Sequence, residues 1–180
     1  FQTILESRAA YRRYQQDAAF WSMYDVGPYT VAPIKVVWRR MDRRINAAVV
    51  GPAQDPWLGL RPVIPQETCV LIPADTLDEA HYLCALLNSS VVNYLVRAHS
   101  VRGGKGFGTP SILDFLRLRR FDPTDERHAQ LAVCSRQAHD RAERGKDYGD
   151  LQQRIDRLAA QLRELTDEEL EAIEREERGA

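Results

Sequence analysis

All nine prolines of this 180-residue chain lie at or before Pro123, and that distribution restricts the fold more than any other feature. Proline locks φ and removes a backbone donor, so it ends helices and stays out of central strands. Pro52, Pro56, Pro62 and Pro65 therefore exclude a helix from the stretch 52–65. Short β-branched and aromatic runs flank it: "IKVVW" at 34–38, "INAAVV" at 45–50 and "ETCVLIP" at 67–73, each expected as a strand. From Asp125 onward the chain is free of proline. There "ERHAQLAVCSRQAHDRAERG" and "DLQQRIDRLAAQLREL" are expected as helices, with Leu151, Ile155, Leu158, Leu162 and Leu165 on one apolar stripe that must bury against a neighbour. The expected class is α+β: a small mixed or antiparallel sheet with packed helices, followed by a C-terminal helical segment.

The remaining elements follow from local signals. "TILESRAAYRRYQQ" (3–16) has apolar residues at roughly helical spacing behind Thr3, which predicts a short opening helix, and Gly27-Pro28 marks a turn. "TLDEAHYLCALLNS" opens with Thr76 and Glu79 in the spacing of a capping box, which predicts a helix over 77–88. Asn88-Ser89-Ser90 interrupts it, and "VVNYLVRAH" resumes as helix or strand. Thr109 and Pro110 are suited to start a turn or two of helix in "SILDFL", and "LRLRRF" (116–121) alternates like an edge strand. Thr166 with Glu169 forms a second capping box, ahead of a highly charged end that is expected to fray.

Charge is unevenly distributed. Through Thr124 there are 15 Lys/Arg against 11 Asp/Glu, and from Asp125 there are 10 against 15. Within the first part Lys35, Arg39, Arg40, Arg43 and Arg44 cluster around the single Asp42, and Arg97, Arg102, Lys105, Arg117, Arg119 and Arg120 cluster around Asp114. Such clusters are either solvated surface or the footprint of a polyanion. The segment "VRGGKGFGTPS" (101–111) adds four glycines, two cations and one aromatic before an expected helix start. Glycines let backbone N–H groups approach an anion, and a helix start adds unpaired donors. Phe107 either stacks on a base or folds inward to anchor the loop.

Motifs for independent catalysis are missing. The glycine segment lacks the Gly-Lys-Ser/Thr of a phosphate-binding loop, and Gly104, Gly106 and Gly108 lack the strand and acidic residue of a dinucleotide site. His81, His99, His128 and His139 show no metal-ligand spacing, and no metal is expected. Cys69, Cys84 and Cys134, odd in number, fit small buried apolar residues in a reducing compartment. No apolar run approaches the ~20 residues of a membrane span and no signal-peptide pattern opens the chain, so a cytoplasmic location without membrane contact is expected. Phe1 in place of Met suggests a fragment of a longer protein.

"WSMYDVGPYTVAPIKVVWRRM", "VIPQETCVLIPA", "DEAHYLCALLNSSVVNYLV" and "GGKGFGTPSILDFLRLRRFDP" together resemble the C-terminal target recognition domain of N6-adenine DNA methyltransferases, including fused type II restriction-modification enzymes. The order of elements is also similar to the recognition modules of type I specificity subunits. The resemblance covers roughly residues 18–140. It implies a DNA target recognition domain, expected over 1–124 with the opening helix included, while the apolar stripe makes 125–180 an expected helical packing or dimerising segment. Its partners would be double-stranded DNA and a methyltransferase catalytic domain in the same parent chain, and a homo-oligomer could form through the C-terminal helix. The family's Asn/Asp-Pro-Pro-Tyr/Phe motif and its cofactor motif are absent, so this fragment is expected to be no enzyme and to hold no cofactor. S-adenosylmethionine would serve the parent, an adenine-specific methyltransferase that could also carry an endonuclease.

Under this resemblance the loop acquires a use, because a methyltransferase must grip the duplex while it extrudes its adenine. Lys35, Arg39, Arg40, Arg43, Arg44, Arg102 and Lys105 are the expected phosphate contacts. Tyr29, Thr30, Gly103, Gly104, Gly106, Phe107 and Thr109 are the expected loop and base contacts. Asn88 and Asn93 are alternative base readers, Asn88 competing with a role as helix cap. The rival expectation is a protein-interaction scaffold that pairs through its C-terminal helix.

Overall fold

A computed structural model describes residues 2–7, 26–99, 113 and 116–178. The chain divides into two compact units, Phe1–Val31 and Ala32–Ala180. In the first, α1 (Gln2–Glu6) covers part of the expected opening helix, whose remainder lies outside the described residues. The expected Gly-Pro turn is a single helical turn, α2 (Pro28–Val31), with proline at the position where a missing N–H does no harm.

The second unit begins with a three-stranded antiparallel sheet of β1 (Lys35–Arg39), β2 (Ala47–Val50) and β5 (Cys69–Pro73), in the order β2-β1-β5. Trp38 faces Ala47 on one side and Val70 on the other, which centres the sheet on the aromatic residue of β1. The proline-rich stretch contains a hairpin absent from the sequence reading, β3 (Ala53–Asp55) with β4 (Gly59–Arg61). Its prolines stand outside the two strands. Asp55 Oδ1 accepts from the N–H groups of Trp57 and Leu58, both at 2.8 Å, and Gly59 closes the loop at φ 74°. Trp57 at the tip is 88% exposed.

Helix α3 (Leu77–Asn88) forms where the capping box predicts it, with Thr76 Oγ1 accepting from Glu79 N–H at 3.1 Å. The Glu79 carboxylate reaches one residue further out than expected and accepts from Asp75 N–H at 2.8 Å. Ser89 ends α3 in extended conformation and starts α4 (Ser90–His99): its hydroxyl donates to Leu86 O and accepts from Val92 N–H. The resumed segment is thus helix rather than strand.

Three helices complete the unit: α5 (Glu126–Glu143), α6 (Gly149–Leu162) and α7 (Asp167–Arg178). Asp125 caps α5 through Arg127 N–H, and Thr166 and Glu169 bond reciprocally at the start of α7. Residues 126–162 supply packing helices to this unit. Leu151, Ile155, Leu158 and Leu162 of α6 pack on Leu131 and Cys134 of α5 and on Tyr82, Ala85 and Leu86 of α3, so the stripe is buried within the chain.

"LRLRRF" is not a strand. Leu116 is buried and Leu118 half-buried, as an alternating strand would have them, but Arg117 takes a positive φ of 45°. The backbone carbonyls of the run find side-chain donors instead of a neighbouring strand: Arg163 donates to Leu116 O, and Tyr82 OH donates to Arg119 O at 3.0 Å. Most of "SILDFL" lies outside the described residues.

Candidate nucleic-acid interface

The turn between β1 and β2 carries Arg39, Arg40, Arg43 and Arg44, all exposed. Asp42, the one carboxylate within the turn, bonds Arg43 N–H and pairs with Arg39 at 2.6 Å. These contacts hold its carboxyl below the ordinary range, the Arg43 N–H contributing most. Within the turn itself four guanidiniums surround one carboxylate.

A second basic element meets this turn. Arg97, in the last turn of α4, is ion-paired with Glu177 of α7, and Arg44 also acts on that carboxyl. Burial pushes Glu177 above the ordinary carboxylate range, and the two arginines draw it back. The fold thereby brings the arginine turn beside the end of α4, from which the chain enters 101–111. Arg102, Gly103, Gly104, Lys105, Gly106, Phe107 and Thr109 lie outside the described residues.

Lys35 needs correction as a phosphate contact. Its side chain is buried, 1% exposed, and its ammonium donates to the carbonyls of Ala32 and, at 2.9 Å, Val63. It fastens the start of β1 to the chain beyond the hairpin, and desolvation lowers its pKa. In the first unit, the Thr30 hydroxyl accepts from Gly27 N–H, and the Tyr29 ring folds over Gly27 so closely that a Cβ there would stand 2.6 Å from it. Both side chains have a local structural task.

Asn88 and Asn93 are not base readers either. Antiparallel pairing with β1 leaves the N–H groups of Ala47 and Val49 on the outer edge of β2, and the N–H of Ile45 lies two residues before the first of them. Each receives a side-chain acceptor from a different helix: Asn93 Oδ1 of α4 for Ile45 at 2.7 Å, Asn88 Oδ1 of α3 for Ala47 at 2.7 Å, and His139 Nε2 of α5 for Val49 at 3.1 Å. Asn88 Nδ2 also donates to Ala47 O, and Asn93 Nδ2 donates to Leu87 O and Ser89 O. Three side chains on alternate residues thus do for the edge what another strand would do.

Of the histidines, His81 and His139 meet each other, His128 meets Tyr82, and His99 is exposed. His139 Nδ1 donates to Ser135 O, and its ring stands edge-on to His81 at 5.1 Å between centroids. Burial, then the neighbouring His139 and Arg136, push His81 down to about 4. His128 Nδ1 accepts from Asp122 N–H, leaving Nε2 toward Tyr82 OH at 3.4 Å. Cys84 and Cys134 are buried and Cys69 half-buried, all as free thiols, and burial pushes Cys84 up to about 12. Those values disfavour acid–base or nucleophilic work near neutrality. Among the described residues no group of three or more His, Cys, Asp and Glu is placed to hold a metal ion.

A further feature has no counterpart in the sequence reading. An opening of about 310 Å³ lies between α3, the run 117–119 and the end of α6, lined by Arg117, Arg119, Arg163 and Glu164 over an apolar floor. None of the described helices is long and apolar enough to cross a membrane. No protein-family model, curated protein or solved structure matches the chain.

Proposed function

We propose that this chain is a cytoplasmic double-stranded DNA recognition module, the target recognition part of an adenine-N6 methyltransferase of a restriction-modification type. It would position the duplex for a catalytic domain in the same parent chain that uses S-adenosylmethionine. The observation that carries the proposal is the arginine turn: Arg39, Arg40, Arg43 and Arg44 exposed around one carboxylate, next to the end of α4 that leads into the glycine segment. A rigid sheet holding guanidiniums at a turn suits phosphate contacts, which set register without reading sequence. Direct readout then falls to 101–111. The resemblance of residues 18–140 supplies the methyltransferase context, and the absence of the catalytic and cofactor motifs makes the module itself inactive.

Duplex binding measured by fluorescence anisotropy across a salt series tests this. Each phosphate contact contributes ~0.9 to the log–log salt slope, so Arg43→Ala with Arg44→Ala should flatten the slope by about two units while sequence preference survives. Arg102→Ala with Lys105→Ala should do the same. Salt dependence unchanged in both variants would refute a phosphate grip at these positions. Transfer of labelled methyl from S-adenosylmethionine by this chain alone would overturn the division of labour.

A further inference from the structure

The opening at the end of α6 combines charge and apolar surface in a way the recognition reading does not use. Arg117, Arg119 and Arg163 converge on it from two parts of the chain, and Glu164 stands at the same opening. Among the described residues none of the three guanidiniums is ion-paired with a carboxylate. Three arginines against one glutamate leave two positive charges. Arg163 is half-buried, and desolvation lowers its pKa. A desolvated guanidinium without a counter-ion is unfavourable, and an anion of matching charge relieves it.

The floor is built differently. Leu86, Leu118, Ala159 and Leu162 line it with apolar surface, beside Tyr82. The wall is fixed by bonds already described: Tyr82 OH holds Arg119 O, and Arg163 holds Leu116 O. Arg117 and Arg119 are exposed, while the carbonyls of Leu116 and Arg119 on either side of Arg117 and Leu118 are held. At about 310 Å³ the opening lies at the small end of ligand sites.

We propose that this opening binds a phosphate monoester carrying an apolar or aromatic body. The phosphoryl group, with a charge of about −1.5 to −2 near neutrality, matches the excess positive charge and takes paired N–H donors from Arg117 and Arg119. The body lies on the leucine floor. A phosphodiester carries one negative charge and so matches less well. The ester could be a free small molecule or the 5′-terminal phosphate of a nucleic acid, and both present the same group.

Calorimetric titration of the full chain with phenyl phosphate tests the proposal independently of duplex binding. Saturable one-site binding is expected, weaker for inorganic phosphate and absent for phenol. Arg117→Gln with Arg119→Gln should weaken phenyl phosphate at least tenfold with an unchanged melting curve, and Arg117→Lys with Arg119→Lys should restore part of it. Arg43→Ala with Arg44→Ala should leave it intact, which separates this pocket from the arginine turn. Displacement by a 5′-phosphorylated oligonucleotide, and not by its unphosphorylated form, would identify a nucleic-acid end as the source; no displacement would identify a free ester. No saturable binding of phenyl phosphate, or undiminished binding in the double glutamine variant, would overturn the proposal.

Discussion

Toward the sheet, α3 presents Ala80, Cys84 and Leu87 to Val36, Trp38 and Val70. Toward α5 and α6 it presents Tyr82, Ala85 and Leu86 to Leu131, Ile155 and Leu158. Both faces are close-packed, but they are fastened differently. On the sheet side Asn88, Asn93 and His139 bond the free edge of β2, so the helices are locked to one register of the strand. On the other side aliphatic side chains interdigitate, and the polar contacts present, His81 with Ser135 and Tyr82 with His128, join helix to helix rather than helix to a strand edge. Hydrophobic packing tolerates a change of shape that keeps volume, whereas a buried N–H tolerates no loss of its acceptor.

The largest effects should come from breaking that contrast directly. Asn93→Leu keeps approximate volume but strands Ile45 N–H and Leu87 O, while Ser89 O keeps the backbone N–H of residue 93, and should lower stability by about 4 kcal/mol in urea denaturation. On the opposite face Leu131→Ala removes a fully buried side chain and should cost about 3 kcal/mol, while Leu131→Met should cost under about 1.5 kcal/mol. Asn93→Leu costing no more than Leu131→Met would show that the edge bonds do not set the difference.

How much of this was legible in sequence depends on where a residue's partner lies. The capping boxes of α3 and α7 were readable because Thr76–Glu79 and Thr166–Glu169 complete their bonds within one turn. β1, β2 and β5 were readable from their β-branched and aromatic runs and the tail helices from periodicity, whereas the hairpin β3–β4 was not. Asn88 and Asn93 meet β2 across 41 and 48 residues and His139 across 90, and nothing local distinguishes an asparagine that closes a strand edge from one that reads a base. Lys35 misled for the same reason. "LRLRRF" has the alternation of a strand because Leu116 and Leu118 must point inward, but alternation cannot say whether the carbonyls find a strand or, as here, Arg163 and Tyr82. The arginine turn was visible as a cluster. Its approach to Arg97 through Glu177, and the pocket of Arg117, Arg119 and Arg163, join distant parts of the chain that only folding brings together.

A smaller test concerns a buried carboxylate on the aliphatic side. Asp156 of α6 is buried, and its Oδ1 accepts from Ser90 N–H at the start of α4 and from Gln152 Nε2. Burial raises its pKa to about 6 despite these bonds. A carboxyl raised in the folded state favours folding while protonated, so its contribution is complete below the unfolded value near 3.8 and is lost as pH rises through about 6. Asp156→Asn keeps the acceptor and removes the titration. Relative to that variant, the native chain should lose about 2 kcal/mol between pH 4 and pH 6.5, an order-of-magnitude figure from the pKa shift. Parallel stability–pH curves for the two proteins would show that Asp156 does not titrate in this range.

The smallest expected effect compares two helix ends on the aliphatic side that share one backbone motif. After α5, Gly145 N–H bonds Ala142 O and Lys146 N–H bonds Arg141 O, with Gly145 at φ 63°. After α6, Glu164 N–H bonds Gln161 O and Leu165 N–H bonds Ala160 O, with Glu164 at φ 58°. Both are the helix ending that places one residue in the left-handed region. Glycine enters that region freely, and a side chain there costs about 1 kcal/mol. Glu164→Gly should therefore raise stability by up to about 1 kcal/mol, and Gly145→Ala should lower it by a similar amount. Glu164 is also the carboxylate at the arginine-lined opening, so Glu164→Gln isolates its charge: that variant should leave the melting temperature nearly unchanged and tighten phenyl phosphate binding, whereas Glu164→Gly should raise the melting temperature and tighten binding as well. Unchanged melting in Glu164→Gly would show that this helix end carries its glutamate without strain, and unchanged binding in Glu164→Gln would separate its charge from the pocket.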